Sequence, residues 1–210
     1  NNTDILEVGA GSGKMAGDIL IELQKRNCLP EHYYILELSA DLKQRQQHYL
    51  KQVIPHFFDR ITWLVSLPDG DFNGLVIANE LLDAFPIHLV KFEEKQLFER
   101  FVVIERDEVT KTEKLVFKDF LIKESIKGNI TESAKNKELL AIKEKIETNV
   151  LARQELYDLS QATNSTYITE VNLLAKQWIK SIAKSINCGA VLLIDYGYPE
   201  SEYLHPQRNM

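Results

Sequence analysis

Hydrophobic residues occur along this chain in two alternating patterns. Short continuous apolar runs alternate with segments in which apolar residues recur every three or four positions. Continuous runs are typical of strands buried on both faces of a parallel sheet, and the second spacing is typical of helices that cross over between them. The pattern predicts an α/β fold of the Rossmann-like type, a mostly parallel sheet with helices on both faces. The predicted core strands are 5–8, 33–38, 61–65, 75–78 and 190–196.

A different pattern interrupts this core after its fourth strand. Residues 87–120 form short β runs separated by charged turns, which predicts antiparallel hairpins. Residues 132–159 are rich in Lys and Glu and have helical spacing. The sequence therefore predicts a core of 1–86 plus 171–210, with an insertion of hairpins and helix at 87–170.

Three glycines connect the first predicted strand to the first predicted helix. Gly9, Gly11 and Gly13 follow the run 5–8 at every second position. A strand, a glycine turn and a helix N-terminus together form a nucleotide-type site at the carboxyl edge of an open α/β sheet. The spacing fits neither a phosphate-binding P-loop nor the dinucleotide fingerprint, whose third glycine comes one residue later. A turn that needs glycine only for packing is the alternative.

Two acidic residues suggest which ligand the turn binds. Glu7 lies two residues before Gly9, which gives the pattern E-x-G-x-G-x-G, and this resembles the first motif of class I S-adenosylmethionine (SAM) methyltransferases. SAM carries an amino-acid moiety and no phosphate. Glu37 ends the second predicted strand, where a carboxylate can accept hydrogen bonds from both ribose hydroxyls of an adenosine. Because a charge within an apolar strand is costly without a partner, we interpret Glu37 as a ligand-binding residue.

Polar residues also follow the fourth predicted strand. Asn79, Glu80 and Asp83 come directly after an apolar run, at the sheet edge where open α/β sheets bind ligands. With Glu170, these residues are the predicted catalytic set, because paired carboxylates match the fork of donors on a guanidinium and can orient a nitrogen nucleophile. Alternatively, Asn79 caps a short helix and Asp83 is merely solvated. His88 is a weaker candidate for a base, since a single histidine in a strand is more often a packing residue.

Composition excludes several classes of function. The 210-residue chain has a net charge of −6, which argues against a nucleic-acid partner. Cys28 and Cys188 are far apart in the sequence, so we expect no metal site and two reduced thiols. No apolar run is long enough for a membrane span, so we expect no membrane insertion. The chain starts with Asn1 rather than methionine, shortly before its first strand, so we expect it to be a fragment of a longer protein.

With these motifs assembled, the chain resembles the MidA family of class I methyltransferase-like proteins. The resemblance extends over nearly the whole chain, and its later blocks are more distinctive than the glycine motif. The blocks are L-E-V-G-A-G-S-G-K-M-A-G-D-I-L, I-L-E-L-S-A-D-L-K-Q-R-Q, V-I-A-N-E-L-L-D-A-F-P-I-H, I-T-E-V-N, V-L-L-I-D-Y-G-Y-P and E-Y-L-H-P-Q-R-N-M.

The resemblance implies that SAM is bound by the three glycines and Glu37, with Asn79, Glu80 and Asp83 facing the methyl group. The predicted cofactor-binding residues also include Glu7 and Asn79. Mitochondrial members of the family are protein arginine methyltransferases that act in the assembly of respiratory complex I. The implied partner is therefore a protein substrate such as a respiratory-complex subunit. The implied location is the cytoplasm of a bacterium, or the mitochondrial matrix of a eukaryote. A non-catalytic assembly factor that grips its partner through the insertion, and a SAM-dependent N-methyltransferase for another substrate, are the alternatives.

Overall fold

The computed structural model describes residues 3–93, 96–122 and 166–199. These residues divide into two compact units. The first contains the chain up to Phe85 together with Ala175–Gly197, and the second runs from Pro86 to Leu174 and resumes at Tyr198.

The elements in chain order are β1 (Asp4–Val8), α1 (Lys14–Lys25), β2 (Tyr33–Leu36), α2 (Ala40–Val53), a 3-10 turn (Phe58–Arg60), β3 (Ile61–Leu64), β4 (Phe72–Asn79), β5 (His88–Glu93), β6 (Gln96–Arg106), β7 (Glu113–Leu121), β8 (Tyr167–Val171), α3 (Leu173–Ser185) and β9 (Ile186–Ile194).

The first unit is built on a five-stranded sheet in the order β3-β2-β1-β4-β9. Every neighbouring pair in this sheet is parallel. The order reverses direction at β1, so β1 and its two neighbours form the topological switch point where ligands bind in such sheets. The glycine turn that follows β1 lies at this position.

Alternate residues of the sheet strands pack into two hydrophobic layers. On one side, Ile5 and Ile35 are buried with Leu20 of α1 and Leu50 of α2. On the other side, Leu6, Val8 and Val76 are buried with Ile182 of α3. Burial of both sheet faces explains why β1 and β4 read as continuous apolar runs. The apolar residues of β9, at the end of the sheet, are by contrast exposed along most of the strand. The predicted α/β fold with helices on both faces is confirmed.

The second unit contains a four-stranded antiparallel sheet in the order β7-β6-β5-β8. One face of this sheet carries a small core of Val90, Phe92, Leu97, Ile122 and Tyr167. The predicted hairpins at 87–120 are present as β5, β6 and β7. The helix predicted at 132–159 lies outside the described residues.

Several element boundaries differ from the sequence prediction. The strands predicted at 33–38 and 61–65 end at Leu36 and Leu64, the strand predicted at 75–78 extends over Phe72–Asn79, and the strand predicted at 190–196 is Ile186–Ile194. The amphipathic pattern predicts a helix from 171, but Val171 ends β8 and pairs with His88, so α3 begins only at Leu173. Asn, Cys and Gly at 187–189 predict a turn that closes this helix, but Cys188 and Gly189 pair with Asn73 and Gly74 of β4, so this segment belongs to β9. Within the part of the chain that the structure describes, no helix is both long and apolar enough to cross a membrane.

Candidate functional site

The glycine turn adopts a backbone conformation that glycine favours. Gly9, Gly11 and Gly13 have φ of +73°, +53° and +79°. Gly13 is the N-cap of α1 and provides no side chain to cap the helix, and the first turn contains no acidic residue. The Gly9 N–H donates to the Leu36 carbonyl at 3.2 Å. The one side chain of the turn that reaches this helix end is Ser12, whose Oγ accepts a long hydrogen bond of 3.4 Å from the Lys14 N–H. The other N–H groups at the positive end of α1 receive no capping side chain from the turn, and the turn is attached directly to the end of β2.

Glu37 lies just past the end of β2, beside the glycine turn. One of its oxygens, Oε1, accepts a hydrogen bond from the Ser39 N–H at 2.9 Å. Its other oxygen accepts from the Gln46 side-chain amide at 3.1 Å, and the same amide nitrogen donates to the Gly11 carbonyl at 3.0 Å. Glu37 and Gly11 are thus both within hydrogen-bonding distance of one nitrogen, so the predicted convergence of the carboxylate and the glycine turn is present in the structure.

Gln46 is a residue of this site that the sequence analysis did not identify. Its side chain is fully buried, and its Oε1 accepts a hydrogen bond from the Trp63 indole N–H at 2.9 Å. A usable signal does exist in the sequence. Position 46 falls at helical spacing from Leu42 and Leu50, so it is a polar residue on the apolar side of α2. Because buried polar groups need partners, a glutamine in that position indicates a specific hydrogen-bonding role.

The segment after β4 also lies at the glycine turn. Val8 and Ala78 are register partners in adjacent parallel strands, so their carboxyl ends meet at one edge of the sheet. A Cβ placed on Gly9 would come within 2.9 Å of the Leu81 side chain, which shows how closely the two segments approach. Glu80 has a φ of +46°, and its N–H donates to the Ile194 carbonyl at 2.8 Å. A non-glycine residue in this region stores strain of roughly 1 to 2 kcal/mol, and such strain is concentrated at functional sites.

The predicted catalytic residues of the first unit are all on the surface. Asn79, Glu80 and Asp83 are exposed. Residues 80–87 form turns rather than a helix, so Asn79 caps no helix there and that part of the alternative is wrong. The exposure of Asp83 agrees with its other part, a carboxylate that is merely solvated. The turn is held by an edge-to-face contact between Phe85 and Trp178 of α3. Asn79 therefore ends β4 at the sheet edge that carries the glycine turn, and Glu80 and Asp83 follow it in exposed turns. That these three side chains face a bound cofactor stays a prediction.

Glu7 has a different position from the other predicted residues. Its side chain is only 1% exposed, and its Oε2 accepts a hydrogen bond from the Tyr33 hydroxyl at 2.6 Å. Among the described residues, no group donates to its Oε1. Burial raises the pKa of the Glu7 carboxyl, and the Tyr33 hydrogen bond lowers it by less. Burial and the neighbouring Glu7 charge also raise the pKa of Tyr33, so this hydroxyl remains a donor. Direct contact of Glu7 with a cofactor stays a prediction.

The buried Glu7 predicts a specific pH dependence of stability. Between the ordinary glutamate pKa of 4.5 and the raised pKa of the folded state, the folded carboxyl holds a proton that the unfolded one has released. Stability therefore falls as the pH rises through this window. We expect Glu7→Gln to remove this loss of stability with rising pH. We expect Tyr33→Phe to extend the loss to higher pH, because it removes the hydrogen bond that lowers the pKa of Glu7. Urea unfolding from pH 4.5 to 8 measures both, and parallel profiles for wild type and Glu7→Gln would contradict the assignment.

Two candidate residues lie in the second unit. Glu170 is an exposed residue of β8 that pairs with Leu89, and its part in a clamp with Glu80 and Asp83 stays a prediction. His88 has its Nδ1 2.8 Å from Oε1 of Glu99, whose side chain is 3% exposed. This contact with a buried carboxyl gives His88 a structural partner within its own sheet.

The arrangement in the first unit is suited to a nucleoside ligand. A Cβ added to Gly11 would meet no atom within 4 Å, so open space lies directly beside exposed backbone. Each oxygen of Glu37 accepts one hydrogen bond from the protein and can accept another. The residues present therefore fit SAM. Gly9 to Gly13 would hold its amino-acid part and Glu37 its ribose.

Comparisons with known proteins agree with this geometry. Two solved structures from Burkholderia thailandensis, both of one superfamily, are similar to this chain, and one of them is bound to S-adenosyl-homocysteine. Each is 28% identical with a TM-score of 0.71, and the match covers 99% of this chain. It covers 47% and 45% of those two chains, so this chain spans less than half their length. No curated protein matches the chain.

One protein family matches the chain over residues 1–210, and it is described as "Putative S-adenosyl-L-methionine-dependent methyltransferase". The cofactor in that description is the one that the glycine turn and Glu37 predict. The sheet order, the glycine turn after β1 and the match over the whole chain support one conclusion. This chain belongs to that family of S-adenosyl-L-methionine-dependent methyltransferases.

Proposed function

We propose that the protein transfers a methyl group from SAM to an arginine side chain of a protein, as an N-methyltransferase of the MidA type. The supporting observation is the placement of Glu80. Glu80 is exposed and has a strained backbone conformation. It directly precedes Leu81, whose side chain lies close to Gly9 of the glycine turn. A subunit of a respiratory complex is the first acceptor to test, because the resemblance to the MidA family points to it.

The proposed chemistry needs little from the protein beyond positioning. SAM, when bound, supplies an electrophilic methyl group on a positively charged sulfur. Carboxylates at positions 80 and 83 would accept hydrogen bonds from a guanidinium and hold one of its nitrogens in place. They would also stabilise the positive charge on the acceptor and take up the proton that it releases. Asn79 would add a neutral acceptor beside them.

The test uses full-length protein, labelled SAM and a candidate acceptor protein. We expect label on arginine, and we expect Glu80→Gln to reduce its transfer by about 100-fold while SAM affinity is unchanged. Glu31→Gln is the matched control, because Glu31 is also exposed but precedes β2, at the opposite end of the strands. If the label is found on another residue type, arginine is not the acceptor and the proposal of an arginine methyltransferase is wrong. SAM binding without any transfer is what the alternative, a non-catalytic assembly factor, predicts.

The cofactor side of the site gives a separate prediction at Gln46. Gln46→Met keeps the side chain's length but removes its hydrogen bonds to Gly11 and Glu37, and also the one that it accepts from Trp63. We expect SAM binding to weaken about tenfold, since a hydrogen bond to a charged group contributes roughly 1.5 kcal/mol or more. Gln47→Met is the same substitution one residue further on, outside this network. Calorimetric titration of both variants, with their thermal midpoints, separates loss of positioning from loss of folding. Equal affinities would contradict the role of Gln46.

A further inference from the structure

The hairpin of β6 and β7 exposes a compact apolar patch on one face. Val102 pairs with Phe117, and Ile104 pairs with Leu115. Directly opposed residues of antiparallel strands share a face, and residues two apart along a strand share it too. These four side chains therefore form one patch. Val102 is 59% exposed, Ile104 and Phe117 are each 65% exposed, and Leu115 is 73% exposed. Patches of this kind with a polar border mark interaction sites.

The four residues of this patch do not pack into the small core of the second unit. That core includes Val90 and Leu97, which lie on the opposite face of the sheet, because Leu97 is an odd number of positions from Val102 along β6. The patch face instead carries Arg100, whose guanidinium lies over the Phe117 ring at 5.5 Å from its centroid. The apolar patch thus belongs to the outer face of the hairpin.

A charged pair closes each end of the patch. Arg100 pairs with Asp119 at the base, where the two are joined by two hydrogen bonds of 2.6 and 2.9 Å. Lys91 of β5 also lies 3.2 Å from this carboxylate. Arg106 pairs with Glu113 toward the tip, with 3.8 Å between the charged atoms. On this face, β6 therefore reads cation, apolar, apolar, cation, and β7 reads anion, apolar, apolar, anion. Both cations of the two pairs thus lie on β6 and both anions lie on β7, whereas each end of the patch has one charge of each sign.

We propose that this face binds a second copy of the same chain, as a dimer related by a two-fold axis parallel to the strands. Such an axis places β6 of one copy over β7 of the other. Each arginine then faces a carboxylate of the partner, and the two apolar patches meet between them. Sheets that stack face to face lie about 10 Å apart, so the side chains can interdigitate.

Charge complementarity selects this occupant and this orientation. A two-fold axis across the strands would place β6 over β6, with Arg100 of one copy against Arg106 of the other. Like charges brought together in this way oppose association. A partner surface with only one sign of charge would be attracted to one of the two strands and repelled by the other. A copy turned about the strand direction matches both strands at once.

The first experiment measures association of the full-length protein by sedimentation equilibrium over a concentration series. We expect a monomer–dimer equilibrium that weakens at least about tenfold in the double variant Ile104→Thr, Leu115→Thr, since a few central apolar residues dominate such interfaces. Threonine keeps strand propensity. Val109→Thr is the control, because Val109 is 91% exposed but lies in the turn beyond the patch. A monomer at all concentrations, or equal dissociation constants for all three proteins, would overturn the proposal.

The second experiment tests the orientation with the pair at the hairpin tip. The double variant Arg106→Glu, Glu113→Arg keeps the pair within each hairpin and keeps the variant complementary to itself. Against a wild-type copy, however, position 106 of each chain meets a like charge at position 113. We expect both proteins to dimerise and the mixed dimer to fall well below the roughly half expected from random exchange. Random mixing, measured by native mass spectrometry of differently labelled chains, would overturn the parallel arrangement.

Discussion

Gly11→Val is expected to abolish detectable SAM binding while the protein remains folded. Gly11 has a φ of +53°, and the direction of its missing side chain opens onto empty space beside the turn. A valine there would fill the space that a ligand needs in order to lie against the backbone. We expect the affinity to fall at least about 100-fold, which corresponds to about 2.7 kcal/mol. Calorimetric titration with SAM measures this loss.

The strain that valine introduces can be measured separately. Gly70 has a φ of +75° and lies in the loop before β4, where a Cβ would make only an ordinary contact of 3.7 Å with Lys184. Gly70→Val therefore carries a comparable backbone cost of roughly 1 to 2 kcal/mol without filling the crevice. We expect both variants to lose similar stability and only Gly11→Val to lose SAM. A Gly11→Val protein with wild-type affinity would show that SAM binds elsewhere.

Gly74→Ala is expected to have the largest effect on folding. Gly74 lies in β4 opposite Asp4 of β1, and an added Cβ would come within 1.9 Å of the Asp4 carbonyl oxygen. The obstacle is backbone of the neighbouring strand, so no side-chain rotation can relieve it. We expect a loss of about 3 kcal/mol or more, which lowers the thermal midpoint by about 10 °C in a chain of this size.

Circular dichroism during heating measures this effect, and the chain offers a matched control. Gly197 follows β9, and a Cβ placed there would meet nothing within 4 Å. Gly197→Ala should therefore melt at the wild-type temperature. A Gly74→Ala protein that also melts at that temperature would mean that β1 and β4 do not approach as closely as the structure shows.

Most of the core was predictable because its signals are local. Continuous apolar runs predict parallel strands. The spacing of apolar residues over 40–53, after a serine suited to an N-cap, predicts a helix with the bounds of α2, and Ser39 accepts a hydrogen bond from the Leu42 N–H as its N-cap. The glycine turn and Glu37 were also visible, because the sequence places both at the carboxyl ends of the strands that flank the switch point. The three polar residues after β4 follow from the same reasoning.

Other features depend on which segments become neighbours. Residues 187–189 look like a helix-closing turn, yet Cys188 and Gly189 pair with Asn73 and Gly74, so they extend β9. Gly74 looks like an ordinary break in a strand until Asp4 is placed beside it. The charge sorting of the hairpin becomes visible only when the register sets Arg100 opposite Asp119 and Arg106 opposite Glu113.

The sequence by itself determined the fold class, the glycine turn and the acidic residue at the end of β2, because apolar periodicity and turn chemistry act over a few neighbouring residues. Tertiary structure alone decided that Gln46 joins Gly11 to Glu37, and that Glu7 is buried against Tyr33 rather than exposed at the sheet edge. Those contacts join residues far apart in the chain, and they exist only after α2 and β2 have packed on β1. A buried polar group finds its partner through packing, so the identity of that partner cannot be read from its neighbours in sequence.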